Sequence, residues 1–126
     1  MSQTSSLMSL TSLPELDAAL ARSTARPIVI FKHSSTCGTS AEAYQEIEAL
    51  LAGPPLLADV YLIDVRTSRA ISNAVAAHLH LRHESPQVLV IREGKVSWHA
   101  SHFRVTARAI KAALRQIAPP ETLRDA

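Results

Sequence analysis

The spacing of the short apolar runs constrains this chain more than any other feature. Three runs, at residues 28–31 (IVIF), 60–65 (VYLIDV) and 88–91 (VLVI), are rich in β-branched residues and contain no Gly or Pro. Runs of this kind read as strands. Each is separated from the next by a stretch long enough for a helix and too long for a hairpin. The third run is followed at once by a fourth, residues 95–99 (KVSWH), after only a short turn at Glu93-Gly94. That spacing makes the last two strands a hairpin. The chain must therefore cross over between its first three strands and reverse between its last two.

The remaining segments supply helices. Ser12 can cap a first helix, with Pro14 in its first turn, Glu15 at capping-box spacing, and Leu13, Leu16, Ala19 and Leu20 at helical period. That helix ends before Pro27. A second spans residues 37–52, with Ala41, Tyr44, Ile47, Glu48 and Leu51 on one stripe, and Gly53-Pro54-Pro55 stops it. Ser68 caps a third, whose inner face is Ile71, Val75 and Leu79. Thr106 caps a fourth, with Ile110, Leu114 and Ile117 inward and Pro119-Pro120 beyond.

The order is α, β, α, β, α, β, β, α. The first two strands, joined through a helix, are expected to be parallel with a right-handed crossover, and a second helical crossover leads into the antiparallel hairpin. The expected architecture is a four-stranded mixed sheet with helices on both faces, an α/β plan of the thioredoxin-like kind. The domain is expected over residues 12–118, after a flexible Ser/Thr-rich segment at 1–11 and before a frayed tail at 119–126.

Cys37 is the single cysteine. Its neighbours Ser34, Ser35, Thr36, Gly38, Thr39 and Ser40 are too polar for a core. At the start of a helix, unpaired backbone N–H groups favour the thiolate, and cysteine pKa values there fall from about 8.5 to roughly 3.5–7.5. A reactive, partly exposed thiol follows, set against the plainer reading of an inert core cysteine. One cysteine makes no internal disulfide, which excludes a secreted disulfide scaffold and fits a reducing cytoplasm. The N-terminus has no basic stretch ahead of an apolar block, so no secretory signal is expected. No apolar run nears the roughly 18 residues of a membrane span. A net charge of +2 and 4% aromatics, with no basic run interleaved with rings, argue against a nucleic-acid partner.

Strand direction gathers four separate stretches on one rim. Cys37 follows the first strand. Asp64, Arg66 and the Ser68 helix start follow the second. Residues 83–87 precede the third, and residues 98–102 end the fourth. Ligands of open α/β sheets collect at such strand ends. The rim so assembled includes Lys32, His33, Arg66, Arg69, His83, Trp98, His99 and His102. In thioredoxin-like proteins a cis-proline opens the strand facing the active cysteine, and the residue before it offers backbone hydrogen bonds to a bound thiol compound. Ser85-Pro86 stands in that place and is expected to be cis. Ser40, three residues after Cys37, either donates to the thiolate or serves the backbone as a first-turn serine, and Thr36 can cap the helix. One Cys and scattered His lack the paired spacing of a zinc site, so no metal is expected.

FKHSSTC (31–37) continuing into a C-x-x-S, then HESPQ (83–87), then GKVSWHASH (94–102), resemble the monothiol bacilliredoxins of the bacillithiol redox system. The resemblance runs from about residue 27 to residue 118. It implies thiol–disulfide exchange, with Cys37 taking bacillithiol from bacillithiolated proteins. Bacillithiol is then a co-substrate, with no tightly bound cofactor. Free bacillithiol or another redoxin regenerates the thiol. The substrate-binding residues so implied are Lys32, His33, Thr36, Gly38, Ser40, Ser85, Pro86, Trp98, His99 and His102. The malate carboxylates of bacillithiol can pair with Lys32, Arg66, Arg69, His83, His99 or His102, and Trp98 can stack on its sugar or pack beside the loop. The family's usual run is Thr-Cys-Pro-Ile-Ser, whereas Thr36-Cys37-Gly38-Thr39-Ser40 stands here. Gly38 gives a more flexible helix start and brings the motif nearer the Cys-Gly-Phe-Ser of monothiol glutaredoxins. Two alternatives therefore stand beside exchange: an iron–sulfur carrier of that kind, and a redox-inactive interaction domain.

Overall fold

The chain runs β1 (Leu7–Ser9), α1 (Leu13–Arg22), β2 (Ile28–His33), α2 (Gly38–Ala52), β3 (Asp59–Asp64), α3 (Arg69–Leu79), β4 (Gln87–Arg92), β5 (Lys95–Ser101) and α4 (Ala107–Ile117). A single 3-10 turn, His102–Arg104, joins the last two. The computed structural model describes residues 7–34 and 38–117. The expected frayed tail at 119–126, the first six residues of the expected flexible segment, and Ser35, Thr36 and Cys37 lie outside the described residues.

One sheet has the order β1-β3-β2-β4-β5. β2 pairs parallel with β3 and antiparallel with β4, and β4 pairs antiparallel with β5. The sheet has five strands rather than four. The extra one, β1, pairs parallel with β3 through Leu7↔Val60, Met8↔Tyr61 and Ser9↔Leu62, so part of the segment expected to be flexible is an edge strand. Nothing local in LMS marks a strand. Its backbone groups are satisfied by the edge of β3, which is a tertiary event.

Side-chain parity along the strands sorts the layers. Val29, Phe31, Val88 and Val90 meet α2 and α4 through Ala43, Ile47, Leu50, Ile110 and Ala113. Ile28, Ile30, Leu89 and Ile91 meet α1 and α3 through Leu16, Ala19, Ile71 and Val75. Both faces of the inner strands are buried, which is why these runs are apolar throughout rather than alternating.

Helix starts follow the sequence in two places. Ser12 Oγ accepts from the Glu15 N–H at 3.3 Å, while the Glu15 carboxylate takes the Thr11 N–H at 2.8 Å. Thr106 Oγ1 accepts from the Ala109 N–H at 3.1 Å, and Glu46 of α2 reaches across to the Ala107 N–H at 2.8 Å. That places a carboxylate on the positive end of α4. Ser68 differs. It occupies the N-cap of α3, but its side chain makes no capping bond. The stripe of α2 is also rotated from the expected one. Ser40, Ala43, Ile47 and Leu50 are buried, Tyr44 and Leu51 are half-buried, and Ala41 and Glu48 face solvent. The rotation removes the conflict that a charged Glu48 posed.

The reversal at Glu93-Gly94 puts both residues at positive φ, 55° and 75°. Two such residues in succession are what a tight hairpin turn of primed type requires, and Gly94 adopts it at no steric cost.

Candidate active site at the C-terminal rim of the sheet

β2 and β3 end on the same rim at His33 and Asp64, β4 begins there at Gln87, and β5 ends there at Ser101. Cys37 lies outside the described residues; in the sequence it immediately precedes Gly38, where α2 begins. Thr36, the expected cap, also lies outside them.

The loop that leads into α2 is tied to the helix it enters. Ser40 is fully buried and its Oγ accepts the Ser34 N–H at 3.3 Å. Of the two roles open to Ser40, the one described is service to the backbone. Its hydroxyl proton remains free to donate elsewhere, since the oxygen is the acceptor in this bond. On the same face, His33 packs its ring 5.0 Å from that of Tyr44 and 5.7 Å from that of Phe31. The His33 Nδ1 is buried and has no hydrogen-bond partner among the described residues, and the same is true of Ser85 Oγ. Gln87 Oε1, at the start of β4, is a third such atom among the described residues, and buried polar atoms are costly unless a ligand, water or another group completes them.

The Ser85–Pro86 peptide bond is cis, as expected from the sequence. The loop that carries it is bound to the end of β5 by three contacts. The Pro86 carbonyl accepts the His102 N–H at 2.9 Å. Glu84 accepts the Ser101 hydroxyl at 3.1 Å through one carboxylate oxygen and contacts His102 Nε2 at 3.1 Å through the other. The Ser101 bond first, and then His102, hold the Glu84 carboxyl below its ordinary range. His102 sits at φ 56°, in the left-handed region that is uncommon for residues other than glycine. Beside it, Phe103 is 75% exposed and borders a cavity of about 390 Å³ against Glu42 and Glu46 of α2.

Lys32 is not on the rim surface. It is fully buried on the α1/α3 side of the sheet, and burial lowers its pKa to about 8. Its Nζ lies 3.3 Å from His83 Nδ1, and Ser72 Oγ lies 3.3 Å from the same nitrogen. Trp98 and His99 are set back from the rim. They lie opposite Val90 and Leu89 in mid-sheet, Trp98 packed on the α2/α4 core and His99 exposed. Arg66 and Arg69 are exposed at the start of α3. The structure thus brings His33, Ser40, Ser85, Pro86 and His102 to one rim. It removes Lys32 from direct contact and places Trp98 and His99 elsewhere.

Three residues of this site were not visible as such in the sequence. Glu84 and Ser101 act through a clamp between separate strands. Ser72 was an ordinary helix position until α3 packed beneath β2. Parity alone would have flagged Lys32, since it continues Ile28 and Ile30 onto the inner face. Among the described residues, no three His, Cys, Asp or Glu side chains group as a metal ion would need. No helix among them is long and apolar enough to cross a membrane.

The family model described as monothiol bacilliredoxin BrxC matches residues 8–110. Among solved structures, one with a thioredoxin fold is 24% identical, with a TM-score of 0.74 over 85% of this chain and 92% of its own. An engineered thioredoxin variant from Halobacterium salinarum is 15% identical, with a TM-score of 0.71 over 94% of this chain and 99% of its own. The thioredoxin of Fasciola hepatica is 16% identical, with a TM-score of 0.71 over 88% and 99%. At these identities the structures establish the fold, which is thioredoxin-like.

Proposed function

This chain belongs to the monothiol bacilliredoxin family, and from that premise we propose that it removes bacillithiol from protein mixed disulfides through Cys37. The reading is carried by the single cysteine in the sequence, which falls between β2 and α2 in the chain order, together with the end of β2 on the same rim where the cis Ser85–Pro86 bond opens β4.

The thiolate of Cys37 attacks the bacillithiol sulfur of a protein–bacillithiol disulfide. The new bond joins Cys37 to bacillithiol, the old disulfide bond breaks, and the protein thiolate leaves and takes a proton from water. No second cysteine is present to resolve the adduct. An outside thiolate, free bacillithiol or a partner redoxin, must attack it and carry away bacillithiol as a new disulfide. The reductant is thus the outside thiol, and the protein returns unchanged. Exchange is fastest when the attacking thiol titrates near ambient pH, because nucleophilicity falls with pKa. A moderately lowered Cys37 pKa serves the reaction best.

The test is mass spectrometry of the protein after incubation with a bacillithiol-modified protein, beside Cys37→Ser. Transfer of one bacillithiol to the wild type and none to the variant is the expected result. An alkylatable Cys37 that accepts no bacillithiol would overturn the substrate and leave thiol exchange to be tried with glutathione. A Cys37 that neither accepts bacillithiol nor alkylates would overturn the reaction as a whole.

A further inference from the structure

Lys32 occupies the place of a core residue. It continues the inner-face series Ile28, Ile30 along β2, is paired in register with Gln87, and is 0% exposed. An ammonium has three donors and no acceptor. With Lys32 charged, the nitrogen it meets on His83, Nδ1, must supply a lone pair. Ser72 Oγ, itself almost fully buried, lies 3.3 Å from the same nitrogen, and with a proton excluded from Nδ1 by the Lys32 ammonium its hydroxyl donates to the same single lone pair as a shared hydrogen bond. The ring proton of His83 is then confined to Nε2. The ring is exposed while its Nδ1 is bound inward, so Nε2 is the atom that faces out.

The surrounding charges support the same state. Arg69 of α3 and Lys32 of β2 disfavour an imidazolium, and burial of the inner edge disfavours it more; Glu84, next in the loop, opposes them. Arg82 precedes the ring in the same loop, and its carbonyl accepts the Gln87 side-chain amide at 3.0 Å. Gln87 and Arg82 thus fix the backbone on either side of His83, two residues before the cis Ser85–Pro86 bond.

We propose that Lys32 is a positioning residue that, with Ser72, fixes His83 as its Nε2–H tautomer, so that the rim beside Ser85–Pro86 presents a neutral N–H donor to a carboxylate of the bound thiol compound. The use made of the donor rests on the function proposed above; the state of the ring does not. Lys32 itself never touches substrate. A carboxylate is the fitting ligand, being an acceptor only and drawn by the nearby Arg69.

The test is long-range proton–nitrogen NMR of the full chain at pH 7, followed by titration with malate as a carboxylate probe. The expected spectrum shows His83 protonated on Nε2 and bare on Nδ1, with the Nε2–H signal moving on malate addition. In Lys32→Met or Ser72→Ala the tautomer becomes mixed. In Lys32→Met the malate response weakens by roughly tenfold, the scale of one lost positioning bond to a charged ligand. A wild-type ring protonated on Nδ1, no malate response, or an unchanged tautomer in both variants would each overturn the proposal. The wild-type spectrum decides it even if a variant fails to fold. A protein that shows both signals and transfers no bacillithiol would sink the proposed reaction and leave this inference standing.

Discussion

The Ser34 N–H donates to Ser40 Oγ at 3.3 Å, across the segment that contains Cys37. Ser34 is the first residue after β2, and Ser40 lies in the first turn of α2. The bond therefore closes the connection between strand and helix on itself. Because Ser40 is fully buried, water does not compete for its oxygen.

Ser40→Ala removes that bond. Stability should fall by about 1 kcal/mol, the usual net worth of one such bond, seen as a lower urea midpoint. The rate of exchange at Cys37 should fall on the order of tenfold, because misplacement of a reacting group by a fraction of an ångström is costly. Stopped-flow reduction of a bacillithiol-modified protein reads the rate. A variant with wild-type rate and lower stability would confine Ser40 to a structural role.

Lys32→Met should act in opposite directions on stability and on ligand binding. Burial lowers the Lys32 pKa from 10.5 to about 8. The unfolded chain therefore holds its proton over the interval between these values, where the native chain releases it. Stability must rise with pH across that window. Below it the full penalty of the buried charge remains, about 3 kcal/mol at the scale of 1.36 kcal/mol per pKa unit. The methionine variant should be more stable than wild type at pH 7, with the gap closing as the pH approaches 10. Urea unfolding at pH 7 and pH 10 checks both the sign and the window.

The succession of elements from α1 to α4, the two helical crossovers and the hairpin were legible because each rests on local pattern. An apolar run, a helical period or a two-residue turn carries its meaning within a few positions. The same is true of the Ser12 and Thr106 caps. β1 was not legible, since Leu7–Ser9 becomes a strand only by meeting the edge of β3. The stripe of α2 was misplaced by one position because Ala41 and Tyr44 fit a helical period as well as Ser40 and Ala43 do. Only packing against Phe31 and Val29 decides between them. At the site, His83, Ser85, Pro86 and His102 stood out by residue type. The roles of Glu84, Ser72 and Lys32 depend on partners 11 to 51 positions away, which no local signal joins.

Glu84→Gln should loosen the two walls of the rim. Glu84 holds Ser101 and His102 against the loop of the cis bond, and its carboxyl is kept below the ordinary value of 4.5 chiefly by the Ser101 hydroxyl. A carboxylate with a lowered folded pKa contributes in full above its unfolded value, and the contribution is lost as the pH falls through the folded one. The reporter is the His102 amide, which donates to the Pro86 carbonyl at 2.9 Å. Its hydrogen exchange should be roughly two- to fivefold faster in the variant at pH 7, the scale of an exposed pair. The ratio should approach one in acid, where the wild-type carboxylate is protonated. Equal exchange at pH 7 would mean that the backbone bond alone holds the walls.

Ser23→Ala should separate the stability of the fold from the chemistry of the rim. Ser23 follows α1 and is fully buried. Its Oγ accepts the Gly94 N–H at 2.8 Å and donates to the Leu20 carbonyl, and its own carbonyl accepts the Glu93 N–H at 2.8 Å. The hydroxyl therefore ties the end of α1 to the hairpin turn between β4 and β5. Without it the half-buried Gly94 amide loses its acceptor, at a cost of about 1 kcal/mol. The turn lies at the far end of β4 from Gln87, so the rim loses no contact. Urea unfolding should show the loss, while Cys37 alkylation and bacillithiol transfer at 25 °C keep their wild-type rates. A parallel fall in exchange rate would mean that the sheet transmits the change along β4 to the cis-proline end, and the two ends would have to be treated as one unit.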